Sequence, residues 1–288
     1  MGTQTKNVLV LGAGGMAGHV IATYLREQGH TVTTLSAKNK LDSSTQLVDV
    51  TDKTAFESFL DENEYDVIVN AIGLLVKLSE ERKDLASYIN SYLPHQLEQK
   101  FKDTKTKIVH LSTDCVFSGL NGPYKENSLM DGELFYDRSK ALGEIINDKD
   151  LTFRMSIIGP DMQENGIGLF NWFYSQQGII SGFKHAMWNG VTTIELSKAI
   201  NQAIQDDLHG LYHLVPNENI SKLDLLKLFK STFDRDDIEV VSDNRTAPDK
   251  TLVNTRTDFK FIIPSYPVMI DEMKHWIDHH IELYSHYF

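Results

Sequence analysis

The sequence predicts a mixed α/β fold in which a doubly wound parallel sheet is joined to a smaller, discontinuous α/β lobe. Over the first half of the chain, short apolar segments alternate with segments of helical periodicity, the order from which parallel sheets are built. The first apolar segment runs directly into a glycine-rich turn and a helix. After residue 159 the alternation gives way to interspersed Gly, Pro, Asn and aromatic residues, which indicates the start of the lobe.

Each element of the predicted sheet follows from its own local pattern. Apolar runs predict strands at residues 8–11, 31–35, 47–50, 67–71, 108–113 and 153–157. Apolar residues at helical spacing predict helices from Met16 to a stop at Gly29, and at residues 55–60, 86–101 and 136–146. We therefore expect residues 1–160 to form the first domain.

The lobe is predicted from shorter and less regular patterns. It includes strands at residues 211–215 and 238–241, a helix that opens at Ser221-x-x-Asp224, and an amphipathic helix at residues 266–285. We expect it to span residues 161–288. A segment at about 190–207, with a helical pattern at residues 193–206, is expected to return to the first domain.

Composition and charge limit the range of functions. The 288 residues carry 28 Lys+Arg and 40 Asp+Glu, a formal net charge of −12. Without a run of basic residues, such a chain is not expected to bind nucleic acid. Its apolar stretches are too short to cross a bilayer, so no membrane association is expected. A single cysteine, Cys115, and a polar segment at residues 1–7 that lacks a signal peptide's apolar core are typical of a cytoplasmic protein.

The glycine-rich turn predicts a dinucleotide site. Gly12, Gly15 and Gly18 have the G-x-x-G-x-x-G spacing between the first strand and the first helix. One such glycine permits the tight turn, one lets the main chain approach a diphosphate, and one allows the helix to pack on the strand. This arrangement is typical of a Rossmann-type fold. Met16, which starts the helix, is counted with the cofactor-binding residues.

The end of the second strand bears on the choice of cofactor. An acidic residue there binds the ribose of NAD. This chain has Ser36, Lys38 and Lys40 instead, and these side chains suit a 2′-phosphate. Solvated loop charges are the alternative interpretation of the two lysines. NADPH is therefore the expected cofactor, with NADH as the alternative.

Tyr136 and Lys140 supply the catalytic signal, because residues four apart at a helix start lie on one face. A nearby ammonium and a positive nicotinamide ring are expected to lower the pKa of the phenol from about 10, so that it exchanges a proton near neutral pH. Ser112 and Thr113 place hydroxyls at the carboxyl end of the fifth strand, the edge where ligands bind in open α/β sheets.

With these motifs the chain resembles the extended short-chain dehydrogenase/reductase superfamily, and within it the dTDP-4-dehydrorhamnose reductase branch. The motifs are Gly12-x-x-Gly15-x-x-Gly18, Asp49-Val50, Asn70-Ala71-Ile72-Gly73, Asn90, Ser112-Thr113-Asp114-Cys115-Val116-Phe117-Ser118-Gly119, Pro123-Tyr124-x-Glu126 and Tyr136-x-x-x-Lys140-x-x-Gly143-Glu144. The resemblance in the second half depends mainly on Arg154, Gly190-x-Thr192-Thr193 and Ala247-Pro248-x-Lys250. Cys115 stands where the family usually has an aromatic residue.

The resemblance implies a role for each matching residue. Tyr136 would protonate the substrate oxygen, Lys140 would bind the nicotinamide ribose and tune Tyr136, and Thr113 would hydrogen-bond the reacting carbonyl. The other implied cofactor-binding residues are Asp49 and Val50 beside the adenine, Ala71, Ile72 and Gly73 along the cofactor's middle section, and Asn90. Asp114 and Val116 are implied substrate-binding residues, and a homodimer is the implied assembly.

Further substrate-binding candidates come from residue chemistry. Arg154, Lys250 and Arg256 are candidate diphosphate ligands, because Arg and Lys suit phosphate oxygens, and ordinary surface cations are an alternative of equal weight. Trp172 and Trp188 are candidates to stack on a nucleobase or sugar, although tryptophan is more often a core residue.

No metal site is expected. His275, His279 and His280 have metal-ligand spacing on the last helix, but no third type of ligand accompanies them.

The leading hypothesis is an NADPH-dependent reductase of a 4-keto-6-deoxy sugar linked to a nucleoside diphosphate. One alternative is a nucleotide-sugar epimerase or dehydratase on the same fold, and another is a regulatory subunit that binds NADP without catalysis. The missing acidic residue after the second strand favours consumption of NADPH. Cys115 in place of a Glu after Asp114 counts against a dehydratase, and the intact catalytic residues count against a regulatory subunit.

Overall fold

The computed structural model of the protein describes residues 5–288. Residues 1–4, part of the polar segment used above to expect no signal peptide, lie outside the described residues. The strands are β1 Asn7–Leu11, β2 Thr31–Ser36, β3 Gln46–Leu47, β4 Val67–Asn70, β5 Lys107–Thr113, β6 Leu151–Met155, β7 Ile157–Ile158, β8 Gly178–Phe183, β9 Met187–Trp188, β10 Val191–Thr192, β11 Gly210–His213, β12 Ile220–Ser221 and β13 Ile238–Asp243.

The helices surround a central sheet. They are α1 Met16–Glu27, α2 Lys53–Asp61, α3 Val76–Glu81, α4 Lys83–Ala86, α5 Leu93–Phe101, α6 Phe135–Leu142, α7 Leu169–Tyr174, α8 Thr193–Gln205, α9 Lys222–Thr232 and α10 Tyr266–His279. A π-helical segment, Ser87–Tyr92, joins α4 to α5. Among the described residues, no helix is both long and apolar enough to span a membrane.

Seven parallel strands form the central sheet, in the order β11-β6-β5-β4-β1-β2-β3. This confirms the predicted doubly wound sheet. The chain moves outward in one direction from β1 and in the other from β4, so the topological switch lies between these two strands. Ligands of open α/β sheets bind outside the carboxyl ends of the strands at this switch.

The strands bury side chains on both faces, as their apolar runs predict. Val8 and Val10 pack with α1, α8 and α10 on one face, whereas Leu9 and Leu11 pack with α2 and α5 on the other. This division follows from the alternation of side chains along a strand. Helix α8 packs beside α1.

The strand at 211–215 is predicted from the sequence to belong to the lobe, and this prediction is wrong. Gly210–His213 pairs in parallel with residues 151–154 of β6, at the edge of the central sheet. Only local pattern was available to the prediction, whereas this pairing joins segments far apart in sequence. Two predicted helices also end early, one at Leu142 before Gly143 and one at His279.

The lobe is built from small strand pairs and short helices. Strand β8 pairs in parallel with β13, and β9 pairs with β12 in antiparallel orientation. Helix α9 packs against β8 and β13, and α10 packs against α9. Strands β7 and β10 pair directly after β6 and before α8, where the chain crosses between the sheet and the lobe.

Candidate active site

The glycine-rich turn lies at the carboxyl end of β1. Gly12 has φ +84°, which favours glycine, and its backbone N–H donates to the Leu35 carbonyl at 2.9 Å. A β-carbon on Gly18 would lie 2.1 Å from the Gly12 carbonyl oxygen, so this glycine allows α1 to approach the turn. Gly15 is the N-cap of α1, and no side chain at this position accepts a hydrogen bond from the N–H groups of the first turn. The helix start is therefore available to an anion.

The loop after β2 packs onto this turn. A β-carbon on Gly14 would lie 2.3 Å from the Asn39 carbonyl oxygen and 2.8 Å from the Ser36 hydroxyl. Ser36 is buried there, whereas Lys38 is exposed. The ammonium of Lys38 lies close enough to interact with Asp49, whose carboxylate accepts hydrogen bonds from Thr51. The residues predicted to bind the adenosine end of the cofactor are thus brought together.

The segment after β4 borders the glycine-rich turn on its other side. The backbone N–H of Ala71 donates to the Leu11 carbonyl at 3.1 Å, and a β-carbon on Gly12 would lie 3.1 Å from Cγ1 of Ile72. Gly73 is exposed next to them. Val50, by contrast, is buried, and its carbonyl accepts a hydrogen bond from the Tyr88 hydroxyl at 3.0 Å.

Asn90 does not bind cofactor directly, and its assignment is corrected. The side chain is fully buried in the π-helical segment. Its Oδ1 accepts from the Leu74 backbone N–H at 2.8 Å, while Nδ2 donates to the Leu74 carbonyl and to the Ser139 hydroxyl at 3.1 and 3.0 Å. Asn90 therefore fixes the segment after β4 against α6 through its side-chain amide.

Thr113, Tyr136 and Lys140 converge at the carboxyl end of β5. Lys140 is 4% exposed and its Nζ donates to the Leu111 carbonyl at 2.7 Å. Thr113, two residues further on, uses its hydroxyl to accept from the Cys115 backbone N–H at 3.1 Å. Tyr136, in the first turn of α6, lies with its phenol beside Thr113. These three predicted residues therefore lie together.

The pKa of Tyr136 moves in the direction opposite to the one expected from the sequence. Burial raises the pKa of the phenol above its usual value of 10, and the negative forms of Cys115, Asp114 and Asp137 add to this. The Thr113 hydroxyl partly offsets the effect. The Lys140 ammonium is not among the main influences on the pKa of the phenol, and its Nζ donates to the Leu111 carbonyl. The phenol is thus held in its protonated form at neutral pH.

Lys140 is affected by the same burial. Desolvation lowers the pKa of its ammonium to about 8, although the nearby Glu144 carboxylate favours the charged form. Glu144 in turn accepts a hydrogen bond from the Ser112 hydroxyl at 2.6 Å. The ammonium therefore changes charge within reach of physiological pH.

Asp114 faces the site, but Val116 does not. The hydroxyl of Thr113 donates to Oδ1 of Asp114 at 3.1 Å, and burial raises the pKa of that carboxyl. Val116 is buried in a small apolar cluster with Phe117 and Tyr124. Its predicted contact with substrate is corrected, because this side chain packs in the protein interior and stabilises the loop after β5.

Arg154 is not available to a diphosphate, contrary to the sequence prediction. It is 1% exposed. Its Nε and Nη2 donate to the two carboxylate oxygens of Glu144 at 2.8 and 2.5 Å, and Nη1 contacts Nε2 of His213 at 2.8 Å. The guanidinium also lies 5.0 Å from the centroid of the Phe117 ring. Its charge is neutralised inside the protein.

Arg256 lies at the wrong edge of the sheet. Its Nη1 donates to the carbonyls of His209 and Leu211 at 2.6 and 3.0 Å, and the guanidinium pairs with Asp258. Gly210 between them opens β11, so this is the amino edge of the sheet, opposite Thr113. The predicted diphosphate contact is therefore corrected.

Lys250 does lie at the site. Its side chain packs beside Gly119, and its ammonium interacts with Asp114, Cys115 and Asp137. The same region contains Lys222, which the sequence patterns do not predict as a site residue. No local pattern marks that lysine, because it reaches the site only through the packing of the lobe.

The two tryptophans differ. Trp188 is 5% exposed, donates through Nε1 to the Ser156 hydroxyl at 2.8 Å, and leaves no room for a β-carbon on Gly190. Its predicted stacking on a nucleobase or sugar is corrected to a packing role. Trp172 is 43% exposed on α7, in the wall of an open cavity of about 590 Å³, and its substrate contact stays a prediction.

The histidines of α10 have partners within the protein. Nε2 of His280 lies 2.8 Å from Oε1 of Glu27, and Nδ1 of His279 lies 2.8 Å from the His275 carbonyl. Across residues 5–288, no group of three or more His, Cys, Asp or Glu side chains is placed to hold a metal ion.

Comparison with known proteins identifies similar chains. Residues 6–254 match the family model described as the RmlD substrate binding domain. A probable low-salt glycan biosynthesis reductase, Agl14, of Haloferax volcanii is 32% identical over 157 residues, which are 52% of this chain and 52% of that protein. The chain spans about half the length of the curated relatives it matches.

Solved structures cover more of the chain. A hypothetical dTDP-4-dehydrorhamnose reductase from Sulfolobus tokodaii is 25% identical, with a TM-score of 0.76 over 90% of this chain and 98% of that one. A dTDP-4-dehydrorhamnose reductase from Bacillus anthracis in complex with NADP is 20% identical, with a TM-score of 0.80 over 95% of this chain and 100% of that one. At that identity the second likeness shows the fold alone.

Proposed function

Because the chain belongs to the RmlD substrate binding domain family, we propose that it is an NADPH-dependent reductase of a 4-keto-6-deoxy sugar carried on a nucleoside diphosphate. The observation that carries the proposal is the convergence of Thr113, Tyr136 and Lys140 at the sheet edge that also presents the glycine-rich turn. The similar chains whose names include dTDP-4-dehydrorhamnose reductase support the substrate class.

The residues present fit a dinucleotide. The uncapped start of α1 at Gly15 would hold the diphosphate, and its first turn has no acidic residue to repel it. Ser36 and Lys38 would receive a 2′-phosphate, and Ala71 to Gly73 would line the middle of the cofactor. Lys140 would bind the nicotinamide ribose. When bound, the nicotinamide supplies the hydride.

The chain's own residues position the sugar and hold the proton. Burial keeps the Tyr136 phenol protonated, which is the form needed to donate to the substrate oxygen during reduction. The Thr113 hydroxyl lies beside the phenol and would orient the same oxygen. Glu144, held by Arg154, supports the charge of Lys140 from behind the sheet edge.

The cations at the site fit an anionic substrate on a chain whose net charge is −12. Of the four cations considered from the sequence, Lys38 and Lys250 lie at the carboxyl edge, whereas Arg154 and Arg256 do not. We therefore assign the diphosphate of the sugar nucleotide to the region of Lys250. The homodimer, the cytoplasmic location and the domain limits stay predictions.

The test is NADPH oxidation, followed by absorbance, with dTDP- and UDP-linked 4-keto-6-deoxy sugars. We expect turnover with at least one of them, and faster turnover with NADPH than with NADH. Tyr136→Phe should lose most of the turnover while its affinity for NADP, measured by calorimetry, is unchanged. The exposed Tyr92 offers a matched control, since Tyr92→Phe should keep full activity. Tight NADP binding without turnover of any such sugar would favour a regulatory subunit.

A further inference from the structure

Lys222 is a lysine of the lobe that the function proposed above does not use. It is the first residue of α9, directly after the N-cap Ser221, and its backbone N–H donates to the Ala186 carbonyl at 2.9 Å. The side chain is partly buried. Its Nζ lies 5.0 Å from the centroid of the Trp188 ring, so an aromatic face supports the ammonium from one side.

Trp188 places this ammonium over the carboxyl edge of the sheet. The indole Nε1 donates to the hydroxyl of Ser156 at 2.8 Å. Ser156 directly follows Met155, which is the register partner of Thr113 in the neighbouring strand. On its other side the ammonium is close enough to interact with Asp114 and Cys115. Lys222 therefore reaches from the lobe to the residues around the Thr113 hydroxyl.

The donors of Lys222 are not used by the protein. Within residues 5–288 its Nζ donates no hydrogen bond to a protein acceptor, so its donors are available to a ligand. Asp114 faces it from the sheet, and its Oδ1 accepts a hydrogen bond from the Thr113 hydroxyl at 3.1 Å. A donor on the lobe and an acceptor on the sheet thus face each other across the site.

We propose that Lys222 and Asp114 together bind the sugar hydroxyl on the carbon next to the reacting carbonyl. Lys222 donates a hydrogen bond to the hydroxyl oxygen, and Asp114 accepts a hydrogen bond from the hydroxyl group. The inference rests on the proposed function. A hydroxyl has both the lone pairs and the proton that this pair requires. A phosphate dianion would satisfy the lysine but has no proton with which to donate a hydrogen bond to the Asp114 carboxylate. The adjacency of Asp114 to Thr113 places the bound hydroxyl beside the reacting carbon.

The test compares Lys222→Met with Lys227→Met, a control at an exposed position on the same helix. Methionine keeps the apolar stem over Trp188 and removes only the donors. With the 4-keto-6-deoxy sugar nucleotide that the wild type reduces, Lys222→Met should raise KM at least tenfold and leave kcat within about threefold, because a hydrogen bond to a charged group is lost. The affinity for NADPH and the behaviour of Lys227→Met should not change.

A 3-deoxy analogue of the same sugar nucleotide separates a contact from a structural role. Removing the hydroxyl from the substrate should weaken its affinity for the wild type about as much as Lys222→Met weakens the affinity for the parent compound. For the Lys222→Met protein, removing the hydroxyl should cause little further loss of affinity. Additive losses, or an unchanged KM in Lys222→Met, would overturn the assignment. If the wild type reduces no such sugar, the proposed function fails, and calorimetry with the same sugar nucleotides decides about Lys222. Equal affinity of both proteins, or no binding by the wild type, would then overturn it.

Discussion

The hydroxyl of Tyr284 lies 2.7 Å from Nε2 of His19, and Nδ1 of the same imidazole lies 2.8 Å from the Gly15 carbonyl. The indole of Trp276 donates to the same hydroxyl at 2.9 Å. His19 therefore connects the segment after α10 to the N-cap of α1. The shape of the glycine-rich turn depends on residues distant in sequence, and the stability of the fold and the cofactor site are linked through this histidine.

This contact should make stability depend on acid pH. Burial lowers the pKa of His19 to about 4, whereas an unfolded histidine titrates near 6.5. Between these values the unfolded chain binds more protons, so the free energy of unfolding falls as pH falls from about 6.5 toward 4, by up to about 3 kcal/mol. His19→Gln should lose less stability over this range in urea denaturation. The pKa of His213 is also lowered by burial, but this residue is present in both the wild type and His19→Gln, so its contribution to the pH dependence is the same in the two proteins. Identical pH slopes would contradict the expectation.

The buried ammonium of Lys140 should lower the free energy of unfolding at neutral pH. Its pKa is lowered to about 8, below the unfolded value near 10.5, so the penalty of burying the ammonium is fully present below pH 8 and fades as pH rises toward 10.5. That penalty is up to about 3 kcal/mol, and the lost hydrogen bond to Leu111 offsets about 1 kcal/mol of the gain. Lys140→Met should therefore stabilise the protein at pH 7 and do so less at pH 9.5. Chemical denaturation at the two pH values measures this, and equal destabilisation at both would count against it.

Arg154 should support the fold without binding substrate. Arg154→Met leaves the Glu144 carboxylate buried without its partner, and we expect a loss of about 3–5 kcal/mol in the free energy of unfolding. Adding Glu144→Gln to this variant should restore at least half of the loss. The affinity of the folded variants for sugar nucleotides should stay within about twofold. A stable Arg154→Met protein with weakened sugar-nucleotide binding would restore the diphosphate role predicted from the sequence.

Two glycines of the turn should respond differently to alanine. At Gly18 the new β-carbon would meet the Gly12 carbonyl oxygen at 2.1 Å, so Gly18→Ala should destabilise the protein by about 1–3 kcal/mol. At Gly15 the nearest atom is 3.4 Å away, so stability should fall by only about 0.5–1 kcal/mol, the usual preference of an N-cap for glycine over alanine. Gly15→Ala should instead weaken NADP binding at least tenfold, because the methyl group hinders close approach of a diphosphate. Thermal denaturation with and without NADP separates these effects. Equal losses of stability would contradict the assignment.

The central sheet and its catalytic edge were predictable from the sequence because each part has a local signal. The apolar run of β1 leads directly into the glycine-rich turn, and Tyr136 and Lys140 are one helical turn apart. Thr113 follows from its place at a strand end. These patterns act over a few residues, and parallel pairing then brings their carboxyl ends to one edge.

Charge neutralisation and lobe packing were not predictable in this way. The sequence shows Arg154 as a cation but does not show that Glu144 pairs with it behind the sheet. Likewise, β11 is four residues long and gains its place only by pairing with β6. Lys222 reaches Asp114 through the packing of α9 and Trp188, which no spacing in the sequence encodes.

Transfer of deuterium from the cofactor tests the central claim most directly. NADPH deuterated at the transferred position of the nicotinamide would be incubated with the protein and a 4-keto-6-deoxy sugar nucleotide, and the product analysed by nuclear magnetic resonance. We expect one deuterium on the former carbonyl carbon and a stoichiometric amount of NADP, with the hydroxyl proton supplied through Tyr136. A product without cofactor-derived deuterium, or conversion of the sugar with no net NADPH consumed, would contradict the assignment as a reductase.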